Sequence, residues 1–148
     1  MKISPLQLDK YFVSDVHLSA NKSFNPEKEL QARETDLSIE VDSKRVGDDE
    51  RRWQVVLGLK NQPAAEANLP YIFSVEIVGF FEVLAGYPRE NIERLVRTNG
   101  PSMLFGVLRE IVRDLTGRGP YFMWILPSVS FYEEFKKEDA VSAEGMKD

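Results

Sequence analysis

PSMLFGVLREIVRDLTG, Pro101 to Gly117, decides the architecture. It opens with a proline in the favoured first-turn position and closes on a glycine stop. Between them Leu104, Leu108, Ile111 and Leu115 recur at spacings of 4, 3 and 4, which is one stripe of a helix. Phe105, Val107 and Val112 widen that stripe beyond the narrow seam of a surface helix. A helix so apolar around its girth needs cover on more than one side. Its own sheet supplies one cover. The second comes from the rest of the domain or from another subunit, and the sequence by itself favours another subunit.

Upstream, YPRENIERLVRTN carries Pro88 near a helix start and Ile92, Leu95 and Val96 at helical spacing. Gly100-Pro101 is expected to break or kink this helix, because proline lacks the N–H and clashes with the preceding turn. Downstream, GRGPYFMWILPSVSFYEEF, Gly117 to Phe135, has six aromatic residues in nineteen, two prolines and two glycines. The prolines and glycines exclude a plain core helix. It reads as an irregular, strongly apolar connection.

The first half reads as strands. LQLDKYFVSDVHL is rich in β-branched and aromatic residues. SANKSFNPEKELQ is a polar loop. TDLSIEVD alternates cleanly, with Leu37, Ile39 and Val41 on one face and Asp36, Ser38, Glu40 and Asp42 on the other. SKRVGDDER reads as a turn. RWQVVLGLKN puts Trp53, Val55, Leu57 and Leu59 on one face, and YIFSVEIVGFF is a fourth, long strand bearing Tyr71, Phe73, Val75 and Ile77 together. QPAAEANLP is a second loop, too short for a packed helical crossover, and short connections between strands favour antiparallel pairing, as a meander or a Greek-key variant.

Composition bounds the function. A chain of 148 residues makes one domain, with 43% hydrophobic and 29% charged residues. The formal net charge of −5 argues against a partner held by its phosphate backbone, so no nucleic acid is expected. No segment is apolar enough to span a membrane, and MKISPLQLDKYF has no apolar signal core; a cytoplasmic location is expected. There is no cysteine, and His17 is the sole histidine, in a strand. Asp48-Asp49-Glu50 reads as a solvated turn. No cofactor, no metal site and no catalytic constellation are expected.

At this point the chain resembles the SecB export chaperones. Gly79-Phe80-Phe81-Glu82-Val83 ends the fourth strand where that family has a glycine and an apolar pair. Pro101-Ser102-Met103-Leu104-Phe105 resembles its Pro-Asn-Ile-Leu-Phe, Arg109-Glu110 follows at its spacing, and Gly117-Arg118-Gly119 resembles its Ser-Arg-Gly. Leu126-Pro127-Ser128-Val129-Ser130-Phe131 is similar to the segment that opens its second helix. The register holds from Leu95 to Phe131 without a gap; the first half matches in pattern more than in identity.

The resemblance implies an α+β domain over residues 1–138: a four-stranded antiparallel sheet, a long kinked helix, the irregular connection and a second C-terminal helix, then a polar, disordered tail over 139–148. It implies a homotetramer, a dimer of dimers, with Leu104, Phe105, Leu108, Ile111, Val112 and Leu115 at the helix interface. It implies an ATP-independent holdase, not an enzyme, that keeps non-native polypeptide clients in an apolar groove for export. Leu37, Ile39 and Val41 match the strand that lines that groove; Tyr121, Phe122, Met123, Trp124 and Ile125 lie in the connection, and Phe131, Tyr132 and Phe135 on the second helix. A clean alternating strand has a buried face in any fold, so core and groove both account for Leu37, Ile39 and Val41.

Export-type SecB hands clients to the SecA motor through acidic groups on its exposed sheet face. Asp15 falls on one such position and Glu76 lies one alternation from another, but two glutamate positions of the family are Ser19 and Ser74 here. Three readings therefore stand: a general export holdase, a dedicated chaperone of one client such as an antitoxin, and a scaffold that binds one folded partner.

Overall fold

The computed structural model describes residues 1–29, 37–61 and 67–132. Four strands are followed by one long helix: β1 (Leu6–Ala20), β2 (Leu37–Val46), β3 (Asp49–Asn61), β4 (Tyr71–Val83) and α1 (Ile92–Gly117). A 3-10 turn, Arg89–Asn91, leads into α1. All neighbouring strands are antiparallel in the order β1-β4-β3-β2, so β1 and β2 form the two edges. Three consecutive strands are linked as hairpins, and β1 lies beside the last of them. This is the Greek-key alternative.

Alternation along the strands sorts side chains between two faces. Trp53, Val55, Leu57 and Leu59 of β3 are all buried, as are Tyr71, Phe73, Val75, Ile77, Phe81 and Val83 of β4. The helix packs on this face. Two glycines let it come close. A Cβ on Gly79 would lie 2.6 Å from Leu104 Cδ2, and one on Gly100 would lie 3.2 Å from Val55 Cγ2.

Three expectations change. First, SKRVGDDER is not a nine-residue turn. β2 runs to Val46 and β3 starts at Asp49, with Gly47 at φ +64° in a two-residue link. The pairs Lys44–Gln54 and Arg45–Trp53 continue the ladder, because backbone pairing does not need an apolar side chain on each strand. Second, Gly100-Pro101 does not break the helix, which is continuous over 26 residues. Both residues are buried against the sheet, and Ser102 Oγ donates to the Thr98 carbonyl at 3.0 Å beside the hydrogen bond that proline cannot make. Third, Leu104, Phe105, Leu108 and Val112 are buried within their own chain. The sheet and the stretch after the helix together cover more of it than the strand count suggested. Only Ile111 and Leu115 of the expected interface residues are half-exposed, and Met103 is exposed beside them. The expected second helix with Phe135, the tail and Asp36 lie outside the described residues.

Candidate functional site

The connection after α1 doubles back along it. Met123 packs over Gly117 and accepts a long contact from Arg113 Nη1 at 3.9 Å, Ser128 Oγ meets Arg109 Nη1 at 3.4 Å, and the rings of Phe105 and Phe131 stand edge to face at 6.1 Å. Pro120 and Pro127 explain why this stretch follows the helix without becoming one.

Its side chains divide into two sets. Leu126 and Phe131 are buried, and Val129 packs against the core. Trp124 is half-buried, edge-on to Phe73 at 5.6 Å. Tyr121 is half-buried between Phe24 at 4.8 Å and Tyr71 at 5.7 Å, and its hydroxyl donates to the Asn21 carbonyl at 2.9 Å. The other set faces outward: Phe122, Met123 and Ile125 are 43%, 48% and 62% exposed, and Tyr132 is exposed too. Four large apolar side chains exposed between Phe122 and Tyr132 are more than the scattered single exposures common on a surface.

On β2, Leu37, Ile39 and Val41 stand opposite Asn61, Leu59 and Leu57 of β3, so they belong to the covered face of the sheet. They are less covered than their neighbours because β2 is an edge: Leu37 and Ile39 are half-buried and Val41 is exposed. Asn61 anchors the row. It donates to the Tyr71 carbonyl at 2.8 Å and accepts from the Phe73 amide at 2.7 Å. Leu37, Asn61 and Phe73 thus follow one another across three strands, and Trp124 rests on the last of them. Neighbouring strands are about 4.8 Å apart, so Leu37 and Phe73 are separated by roughly 10 Å. Edge strand and connection therefore border the same apolar face.

The opposite face carries the acidic groups. Asp15 and Glu76 are directly opposed on β1 and β4, and Ser14 Oγ donates to Glu76 Oε1 at 2.7 Å. Glu40, Lys60 and Ser74 border the shallow depression beside them. Ser19 stands opposite Ile72, further along. His17 is exposed opposite Ser74. Among the described residues no three His, Cys, Asp or Glu side chains gather as a metal site would require, and no helix is long and apolar enough to cross a membrane.

Sequence reasoning missed three contributors. Tyr71 and Thr116, both fully buried, hold the connection through their hydroxyls. Phe24 edges onto Tyr121 and Phe122 from the first loop. A lone aromatic in a polar loop was the available signal for Phe24. For Thr116, it was a threonine in the last helical turn before a glycine stop.

Comparison with known proteins supplies the remaining observations. The family model for SecB, preprotein translocase subunit SecB, matches residues 2–141. The protein-export protein SecB of Psychrobacter arcticus is 26% identical over 147 residues, covering 95% of this chain and 93% of its own. That of Bartonella quintana is 34% identical over 125 residues, covering 82% and 74%. Among solved structures, a Mycobacterium tuberculosis SecB-like chaperone in complex with a ChAD peptide from the HigA1 antitoxin shares the fold. Its TM-score is 0.60 at 17% identity, over 85% of this chain and 88% of that one.

Proposed function

The chain belongs to the SecB family, whose chaperones are not enzymes, and from that premise we propose that it is an ATP-independent holdase acting in the cytoplasm on non-native polypeptides. One observation carries the reading: Phe122, Met123, Ile125 and Tyr132 are exposed on a stretch whose other rings, Tyr121, Trp124 and Phe131, pack into the domain. An unfolded chain offers apolar side chains, and burying each contributes about 1.5–3 kcal/mol. Several such contacts along the connection and the β2 edge make a useful affinity without demanding one client sequence. Met and aromatic groups suit this because they are large and adaptable. In this reading Leu37, Ile39, Val41, Tyr121, Phe122, Met123, Trp124, Ile125 and Tyr132 border the client groove, and Phe131 underpins it.

Assembly is part of the proposal. Homotetramers bring several such patches together, so that one long client bridges more than one chain. The outward strip of α1, with Met103, Val107 and Ile111, is one surface available for it, and edge strand β1, with Tyr11, Phe12 and Val16 exposed, is another. Asp15 and Glu76 form the acidic face on which a basic partner such as the SecA motor would dock.

A second reading is a dedicated chaperone for one client, such as an antitoxin. It is supported by the antitoxin peptide in the solved SecB-like complex, and by Ser19 and Ser74 at positions where export-type members carry glutamate. Suppression of aggregation separates the two. The purified chain is mixed at equimolar ratio with two unrelated heat-denatured proteins. A general holdase keeps both in solution. Failure with both sinks the general reading and leaves the dedicated chaperone and the one-partner scaffold, to be tested with proteins encoded next to this gene.

A further inference from the structure

Two buried hydroxyls hold the connection at two points. Tyr71 Oη donates to the Thr116 carbonyl at 3.1 Å and accepts from the Tyr121 amide at 3.0 Å. Thr116 Oγ1 donates to the Val112 carbonyl and accepts from the Trp124 amide, each at 2.8 Å. The residues pinned in this way are three apart, and the rings of both turn inward, onto Phe24 and Tyr71 in one case and onto Phe73 in the other. Phe122 and Met123, between the pins, and Ile125, just after, turn outward.

Apolar side chains do not stay in water by preference. A free irregular segment would turn Phe122 or Ile125 inward by slipping along the helix. Here a slip would strip the fully buried Tyr71 and Thr116 of their amide partners, and an unmade hydrogen bond at a buried hydroxyl is expensive. A hydroxyl suits the task because one oxygen gives a proton to a carbonyl and takes one from an amide. Gly119 completes the arrangement: a Cβ there would collide with the Tyr71 hydroxyl and would lie 2.7 Å from Tyr71 Cε1.

We infer that Tyr71 and Thr116 are positioning residues for client binding. Their hydroxyls clamp the connection in the register that keeps Phe122, Met123 and Ile125 presented to a non-native polypeptide. The inference rests on the holdase reading above.

Thr116→Val and Tyr71→Phe remove each hydroxyl at nearly constant shape, and Thr116→Ser restores the first. Three quantities are measured on each: amide hydrogen exchange at residues 121 and 124, affinity for a reduced, carboxymethylated small protein that stays unfolded, and the urea midpoint. Ile77→Val is a control, since it trims the core away from the connection. Thr116→Val and Tyr71→Phe should speed exchange at both amides and weaken probe binding by about tenfold. Thr116→Ser should retain both properties, and Ile77→Val should lower the midpoint with probe affinity intact. Normal probe affinity in Thr116→Val, or unchanged exchange at residue 124, overturns the clamp. If Thr116→Val does not fold, Tyr71→Phe decides by the same two readouts at residue 121. A wild-type chain that binds no probe removes the general-holdase reading on which the inference rests, an outcome distinct from a variant that binds normally.

Discussion

Leu104 occupies the space that a side chain on Gly79 would need: a Cβ there would come within 2.6 Å of Leu104 Cδ2 and 3.0 Å of Phe81 Cε2. Helix and sheet meet at that glycine. Gly79→Ala should therefore overpack the core and destabilise the fold by about 1–3 kcal/mol. Leu104 is fully buried, so it has no free rotamer to escape into. The measurement is a urea melt, and an unchanged midpoint would mean that the helix can ride higher on the sheet.

The connection separates into exposed and packed positions. Phe122→Ala with Ile125→Ala should weaken client binding by tenfold or more, since burying one large apolar side chain contributes about 1.5–3 kcal/mol, and should move the melting temperature little. Trp124→Ala should lower stability as well, because its ring is edge-on to Phe73. Thermal unfolding and aggregation suppression on the same samples test the contrast. Normal holding by the Phe122/Ile125 double variant would place the groove elsewhere.

Asp15 and Glu76 put like charges directly opposite each other on exposed strand positions, an arrangement that destabilises a sheet. Asp15→Asn should raise stability by a few tenths of a kcal/mol at low salt, and the gain should fade as ionic strength rises. If the acidic pair serves docking, the same variant should bind a basic partner domain less well. Melts at two salt concentrations, with a titration of the partner, test both halves. Stability lower than wild type at low salt would mean that Asp15 has a favourable role in the sheet.

Assembly should depend on the outward strip of α1. Sedimentation of the wild-type chain should give a tetramer. Met103→Glu with Val107→Glu should lower the sedimenting mass while the circular dichroism spectrum is retained, because a charge is costly to bury in an apolar interface. A wild-type monomer in dilute buffer would be evidence against the tetramer, and a tetramer untouched by the double variant would place the interface on another surface.

What the sequence determined by itself was whatever local periodicity encodes. Alternation in TDLSIEVD, the 4-3-4 spacing from Leu104 to Leu115, and the prolines that keep the stretch after Gly117 out of helix follow from backbone repeats and steric rules that act over a few residues. Those repeats also set which side of each strand is apolar. Only the tertiary structure decided which apolar positions stay outside. Leu104, Leu108 and Val112 face the sheet because Gly79 and Gly100 let the helix settle on it, whereas periodicity alone left the same residues free to face a partner. Phe122 and Trp124 are both aromatic and two residues apart, yet one is exposed and the other packs on Phe73. The difference lies with Tyr71 and Thr116, 45 residues apart in the chain, whose hydroxyls fix the register of the segment from below. Hydropathy says that a side chain prefers burial, and a hydrogen bond made by a distant strand determines whether it gets it.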